Sequence, residues 1–231
     1  MEKWPKKLAP LTEEQERIRI DFMQYWHEVL PRRYGLVEKF NHGYPASRQR
    51  PGTTVEIGAG LGEHIQYECL ADKEYIAVEI LPEMAAEISR RYNEVTTIVG
   101  DCQARLPFDD ASVDRVLAIH VLEHLPNLPS TVAEVHRILR PGGCFQVCIP
   151  CEGGMAYSLA RKISAERAFK KRYGMSYDWF IQNEHINHPH EIVETLSEYF
   201  ETQDSTYFPL RIRSVEMNLV IGLDLKPRQN A

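Results

Sequence analysis

The chain has 231 residues, a net charge of −6 and a pI near 5.9; this is enough length for one domain with a full core, and its acidic balance argues against a nucleic-acid partner. No apolar run reaches membrane-spanning length and the start, MEKWPKKLAP, lacks the apolar core of a signal peptide, so a cytoplasmic protein without a membrane span is expected. Five cysteines, an odd number, suit a reducing compartment better than a disulfide scaffold.

Residues 1–10 are basic and Pro-broken, as in a frayed terminus. Thr12, followed by Glu13, Glu14 and Gln15, resembles a helix start, and Ile18, Phe22, Tyr25, Trp26, Val29 and Leu30 recur at helical spacing up to Pro31. Residues 1–50 therefore read as a helical cap on a domain spanning 51–231. The aromatic stripe of Tyr25 and Trp26, with His27 beside it, reads most plainly as the face packed on the domain.

Thr53, Thr54, Val55 and Ile57 are β-branched and read as a buried strand, broken by Gly58, Gly60 and Gly62. Such glycines let the chain turn at the strand's carboxyl end and let a ligand lie against bare backbone, with amides of a following helix pointing at it. A dinucleotide fingerprint needs G-x-G-x-x-G, whereas here the third glycine falls one residue early. Glu56, inside the strand, needs a partner, either a ligand cation or an Arg. The second strand, Glu74 to Ile80, ends in Glu79, where such folds hold a ribose. The third, Val95 to Gly100, runs into Asp101 and Cys102, and an acid there can accept from an adenine amine. The fourth, Ser112 to Ile119, leads to His120 and His124; Leu139 to Gly143 then turns into a fifth, Cys144 to Ile149. Helices are expected over 62–71, 82–92 and 128–139, giving a parallel sheet covered on both faces. A helix over 190–199 and strands over 201–208 and 215–225 follow.

VEIGAGLGEH, AVEI, GDCQARLPFDDASVDRVLAIHVLEHL and VAEVHRILRPGGCFQVCIP, in this order and spacing, resemble the class I S-adenosylmethionine-dependent methyltransferases of the type 11 group, over about residues 53–150. The resemblance implies a Rossmann-like fold: a seven-stranded, mostly parallel sheet with an antiparallel C-terminal hairpin and helices on both faces. It implies S-adenosylmethionine as cofactor and S-adenosylhomocysteine as product. Glu56, Gly58, Ala59 and Gly60 would cradle the amino acid part, Glu79 and Ile80 the ribose, Asp101 and Cys102 the adenine side, and Ile119 and His120 the methionine and methyl. Glu56 stands where the family more often has Asp. The resemblance also implies an amino-terminal helix that closes over the pocket, which makes Tyr25, Trp26 and His27 candidates to line it.

The stretch 151–187 is the least family-like and follows the fifth strand at the ligand end of the sheet, so it reads as a substrate lid. One helix, about 155–173, would carry Arg161, Lys162, Arg167, Lys170, Lys171 and Arg172 against Glu166 alone. With Arg211 and Arg213 in the hairpin turn, these favour a small anionic or glycosyl acceptor; a solvated basic face is the plainer reading. Methyl transfer to oxygen or nitrogen needs alignment and a base, for which His120, His124, His185 and Glu184 are the candidates. Glu184, His185, His188 and His190 also form the densest histidine group, but Pro189 gives it a helix-start explanation, and no metal is assigned. Cys144, Cys148 and Cys151 reproduce a radical-enzyme cluster spacing, yet within one strand they cannot converge and read as buried thiols. The rivals are a quinone or lipid methyltransferase, a nicotinamide oxidoreductase and a non-catalytic cofactor-binding subunit. The expected partner is the small acceptor; a homodimer is compatible with this reading.

Overall fold

The computed structural model describes residues 3–71 and 73–229, apart from the side chains of residues 26–33. Trp26 and His27 as pocket candidates therefore lie outside the described side chains. Seven strands form one sheet in the order β3-β2-β1-β4-β5-β7-β6. They are β1 Gly52–Ile57, β2 Lys73–Glu79, β3 Val95–Val99, β4 Val113–Ile119, β5 Leu139–Pro150, β6 Phe200–Phe208 and β7 Val220–Pro227. β1 to β5 pair in parallel, and β7 runs antiparallel between β5 and β6. This is the expected Rossmann-like α/β sheet with its antiparallel C-terminal hairpin. The chain winds outward from β1 to β3, then returns to the other side of β1 as β4. That reversal sets the carboxyl ends of β1 and β4 side by side, where such sheets open a ligand crevice.

The two faces of the sheet differ in chemistry. On one, Val55, Ile57, Val116, Ala118, Phe145 and Val147 pack on α4 (Leu128–Ile138) and α8 (Pro189–Tyr199) in a continuous apolar core. The other face carries buried Thr54, Glu56, Arg115 and Gln146 beside Tyr75. The Arg115 guanidinium donates to Glu68 Oε1 at 2.9 Å, Gln146 Oε1 at 2.9 Å and the Pro45 carbonyl at 2.8 Å. Glu68 also meets His64 Nε2 at 2.9 Å and accepts from Lys73 Nζ at 2.8 Å. Burial would raise the Glu68 pKa, but these cationic and hydrogen-bonding neighbours hold it at about 2.

This network explains the one core element that departs from expectation. Residues 62–71 form no α-helix, only a 3-10 turn, Ile65–Tyr67. Glu68 faces inward to meet Arg115 and His64 faces inward to meet Glu68, and Gly62 sits at a φ of +76°, outside the helical region. Helix α2 (Gly35–Ala46) covers this face instead, with Tyr44 against Gly222 of β7.

Beyond β5 the expected single lid helix is two, α5 (Met155–Ile163) and α6 (Ala165–Tyr173), broken at Ser164, whose hydroxyl donates to the Ala160 carbonyl. Helix α7 (Asp178–Glu184) follows. The described side chains of helix α1 (Glu13–Arg33) pack on these: Ile18 and Phe22 join Phe169, Tyr177 and Phe180 in one cluster. The segment from Leu139, expected as a turn, already pairs as β5, with a register irregularity against Val113 and Arg115. β7 begins at Val220, later than expected, because a 3-10 turn, Val215–Met217, precedes it.

Candidate active site at the tips of β1 and β4

The turn after β1 places Gly58 and Gly60 at φ values of +62° and +58°, a region that costs L side chains but not glycine. The Gly60 amide donates to Glu79 Oε2 at 2.9 Å and the Leu61 amide to Glu63 Oε2 at 3.0 Å. These two amides thus meet the chain's own carboxylates, and no helix follows to present others. Glu79, buried at the tip of β2, also accepts from the Leu81 amide at 2.9 Å. Each of its oxygens keeps a second lone pair for a ribose hydroxyl. Ile80 and Val99, at the tips of β2 and β3, are each 56% exposed, an apolar surface suited to a flat base. Bare glycine backbone, a fixed strand-tip carboxylate and exposed aliphatic side chains fit an adenosine-bearing cofactor.

The other expected cofactor residues divide. Asp101 is half-buried at the end of β3, its Oδ1 accepting from the Gln103 amide at 2.9 Å. The Cys102 side chain points into the apolar core, where burial pushes its thiol up to about 12. Ile119 packs with Tyr44 and Cys148. Glu56 accepts from the Tyr75 hydroxyl at 2.7 Å, so its hydrogen-bond partner within the chain is a Tyr and not an Arg. Burial raises its pKa to about 8, against the lowering effect of that bond. Tyr25 lies under the Arg172 guanidinium, 5.0 Å from its ring, on the lid side of α1.

Four histidine and glutamate candidates do come together. β4 ends at Ile119; His120 adopts a φ of +54° and its amide donates to the Cys148 carbonyl at 2.9 Å. A 3-10 turn, Leu122–His124, follows. His120 Nδ1 lies 3.0 Å from Glu123 Oε1, while its buried Nε2 has no partner among the described residues. His124 Nδ1 is 3.6 Å from Glu184 Oε2, and its ring is edge-on to His185 with centroids 5.1 Å apart. His185 Nδ1 lies 2.9 Å from Glu152 Oε2. Arg161 donates to Glu152 at 2.6 Å and Arg19 to Glu184 at 3.3 Å, so each lid carboxylate has a cation behind it. Asn187 ties the two segments, donating its side-chain amide to the Leu122 and Leu125 carbonyls at 2.7 and 2.8 Å.

These contacts set the electrostatics. Burial would raise the Glu123 pKa, but His120, followed by His124 and His185, holds it at about 2. Burial opposes the charge on His120, yet the bond to Glu123 raises its pKa. Burial lowers that of His124. Glu152 is lowered against the desolvation that would raise it, chiefly by His185.

Arg211 and Arg213 are not part of this group. Arg211 lines a groove of about 390 Å³ between α2 and β6 with Lys39, Phe40, Tyr44 and Arg48; Arg213 is exposed in the turn. Of the basic lid residues, Arg161, Lys170 and Arg172 are paired with Glu152, Glu166 and Asp21. His188 and His190 stack at the start of α8, where the Glu191 carboxylate accepts from the His188 amide at 3.0 Å, as the proline had indicated. Cys148 and Cys151 belong to different apolar clusters. Glu123 and Glu152 were not singled out from the sequence. Glu152 lies just past β5, and the strand-tip argument used for Glu79 and Asp101 applies to it equally.

Residues 55–147 match the model of a methyltransferase domain family. A probable S-adenosylmethionine-dependent methyltransferase of Mycolicibacterium smegmatis is 38% identical over 96 residues, 41% of this chain and 37% of the relative. One from Mycobacterium tuberculosis strain H37Rv is 30% identical over 143 residues, 61% of this chain and 48% of the relative. The matched stretches thus span less than half of each of these relatives. In structure, geranyl diphosphate C-methyltransferase from Streptomyces coelicolor superposes with a TM-score of 0.62 at 13% identity, covering 95% of this chain and 100% of that one. Fold and family match agree: residues 55–147 carry a methyltransferase domain of the type 11 group, on the Rossmann-like sheet of the class I S-adenosylmethionine-dependent methyltransferases.

Proposed function

We propose that the protein transfers the methyl group of S-adenosylmethionine to an oxygen or nitrogen of a small acceptor, with His120 taking the acceptor's proton. The observation that carries this reading is the placement of His120. It stands at the tip of β4, across the switch point from the glycine turn, with Nδ1 anchored by Glu123 and a buried, unpartnered Nε2. An imidazole fixed on one nitrogen presents the other as a proton acceptor. The cofactor supplies an electrophilic methyl: the acceptor lone pair forms the new bond to carbon as the carbon–sulfur bond breaks and its electrons return to sulfur. His120 Nε2 removes the proton left on the acceptor, and the lid helices exclude water from the displacement.

For the acceptor, the Arg211, Lys39 and Arg48 groove supports an anionic or glycosyl molecule whose charged group reaches it from the methyl end. A quinone or lipid acceptor is supported by a different feature. Met155, Leu159 and Ile163 line one face of α5 at i, i+4 and i+8 and are 71%, 62% and 67% exposed.

The test is calorimetric titration of ligand-stripped protein with S-adenosylmethionine, S-adenosylhomocysteine and NADH, then a labelled-methyl screen of sugar phosphates and prenylated quinones. Micromolar binding of the first two alone is expected, with transfer that His120→Ala abolishes while cofactor binding persists. No cofactor binding overturns the reading; binding with no transfer to any acceptor replaces it with a cofactor-binding accessory role.

A further inference from the structure

We propose that Glu123, His124 and His185 bind one first-row divalent metal ion of the zinc or manganese kind at the floor of the lid. One donor atom from each lies within 4.8 Å of the others. The donors come from two segments, the turn after β4 and the residue that ends α7, which Asn187 holds together through its amide donation to the Glu123 carbonyl at 3.0 Å. Their positions therefore do not depend on one flexible loop.

Three features point to a ligand rather than to a self-satisfied cluster. First, Glu123 is fully buried and its Oε2 has no hydrogen-bond partner among the described residues; such an orphan normally carries a substantial penalty. Second, the contacts within the group are too long to close it: His124 Nε2 to Glu123 Oε1 is 3.9 Å and His124 Nδ1 to Glu184 Oε2 is 3.6 Å. Third, every donor has an outer partner on its far side. His185 Nδ1 is held by Glu152 at 2.9 Å, His124 Nδ1 faces Glu184, and Glu123 Oε1 is held by His120 at 3.0 Å. The Glu152 carboxylate behind His185 fixes that ring's tautomer and leaves its Nε2 to coordinate, which is the recurring support of metal-bound histidines. Arg161 and Arg19 balance the two outer carboxylates, so Glu123 alone supplies the ligand charge.

Two imidazoles and one carboxylate suit Zn²⁺, Mn²⁺ or Fe²⁺ and not Ca²⁺ or Mg²⁺, which prefer oxygen donors. Three protein ligands leave open coordination positions. On the methyl-transfer reading, an oxygen of the acceptor occupies one of them and is thereby oriented and acidified. Only this last role rests on that reading.

The experiment is direct binding of Mn²⁺, followed by electron paramagnetic resonance, and of Zn²⁺, followed by calorimetry, on chelator-treated full-length protein without cofactor. One ion per chain is expected, with Mg²⁺ at the same concentration failing to compete. Affinity should fall at least tenfold in His185→Ala and in Glu123→Gln, and stay unchanged in His190→Ala, whose exposed ring lies in α8. Circular dichroism melts identify a variant that has not folded; His124→Gln then supplies the same readout. Absence of binding, competition by Mg²⁺, or equal loss in His190→Ala overturns the site. Because neither cofactor nor acceptor takes part, a failure of methyl transfer leaves this outcome intact.

Discussion

Gly58 packs so closely on Val121 that a Cβ added to Gly58 would sit 2.6 Å from Val121 Cγ2. The glycine turn after β1 and the histidine-bearing turn after β4 are therefore in direct contact, and Gly58 is required twice, for its φ of +62° and for the space. Gly58→Ala should destabilise the fold by about 2 kcal/mol or more, combining left-handed strain with overpacking. It should also weaken cofactor binding. In a double-mutant cycle with Val121→Ala the steric part returns and the backbone part does not. Full recovery in urea titrations would show that the conformation at Gly58 is unimportant.

Glu79 braces the same turn, since it receives the Gly60 and Leu81 amides. On the proposed function Glu79→Ala removes both a ribose acceptor and the brace on Gly60. Binding of S-adenosylmethionine should weaken by roughly 1 to 3 kcal/mol. Calorimetry measures this, and an unchanged affinity would remove Glu79 from the site.

The alternating strands, their glycine break and the acids at their tips were legible because period, turn chemistry and position along an α/β chain are local properties. The same local reading brought His120, His124, His185 and Glu184 forward, although 60 residues of chain separate the first pair from the second. Three features were not legible, the first and third because they depend on partners distant in sequence. The turn at residues 62–71 is set by Arg115, a strand residue whose buried demand for a carboxylate turns Glu68 inward. The break at Ser164 comes within a stretch whose charges and apolar residues continue helically. The stripe on α1 gave its period but not its partner, which proved to be the insert. Glu123 sat unmarked between two histidines because a lone acid in such a turn is ordinarily solvated, and only its burial gives it a role.

Arg115 is fully buried and donates to three acceptors, Glu68, Gln146 and the Pro45 carbonyl. Arg115→Ala leaves the Gln146 and Pro45 acceptors unpaired and buried Glu68 with His64 and Lys73 alone, which should destabilise the protein by about 3 to 5 kcal/mol. Arg115→Met, which refills the volume without restoring the donors, should be milder by the packing part alone. Equal losses in urea denaturation for the Ala and Met variants would show that the lost donors, not packing volume, set the cost at this position.

Glu56 gives a pH dependence whose sign is fixed by its environment. Burial raises its folded pKa from 4.5 to about 8, against the Tyr75 hydrogen bond that favours the charged form. Below pH 4.5 both folded and unfolded states hold the proton, and the favourable contribution is complete. Between 4.5 and about 8 the unfolded chain has released it and the folded chain has not. Unfolding then liberates a proton, so stability falls as pH rises, by up to about 1.4 kcal/mol per unit from this group. Glu56→Gln keeps an acceptor for Tyr75 and cannot ionise. Its stability relative to the unsubstituted protein should therefore improve steadily from pH 5 to pH 8. Parallel urea titrations at half-unit intervals read this difference, and a flat difference across the window would mean that folded Glu56 is already ionised against Tyr75.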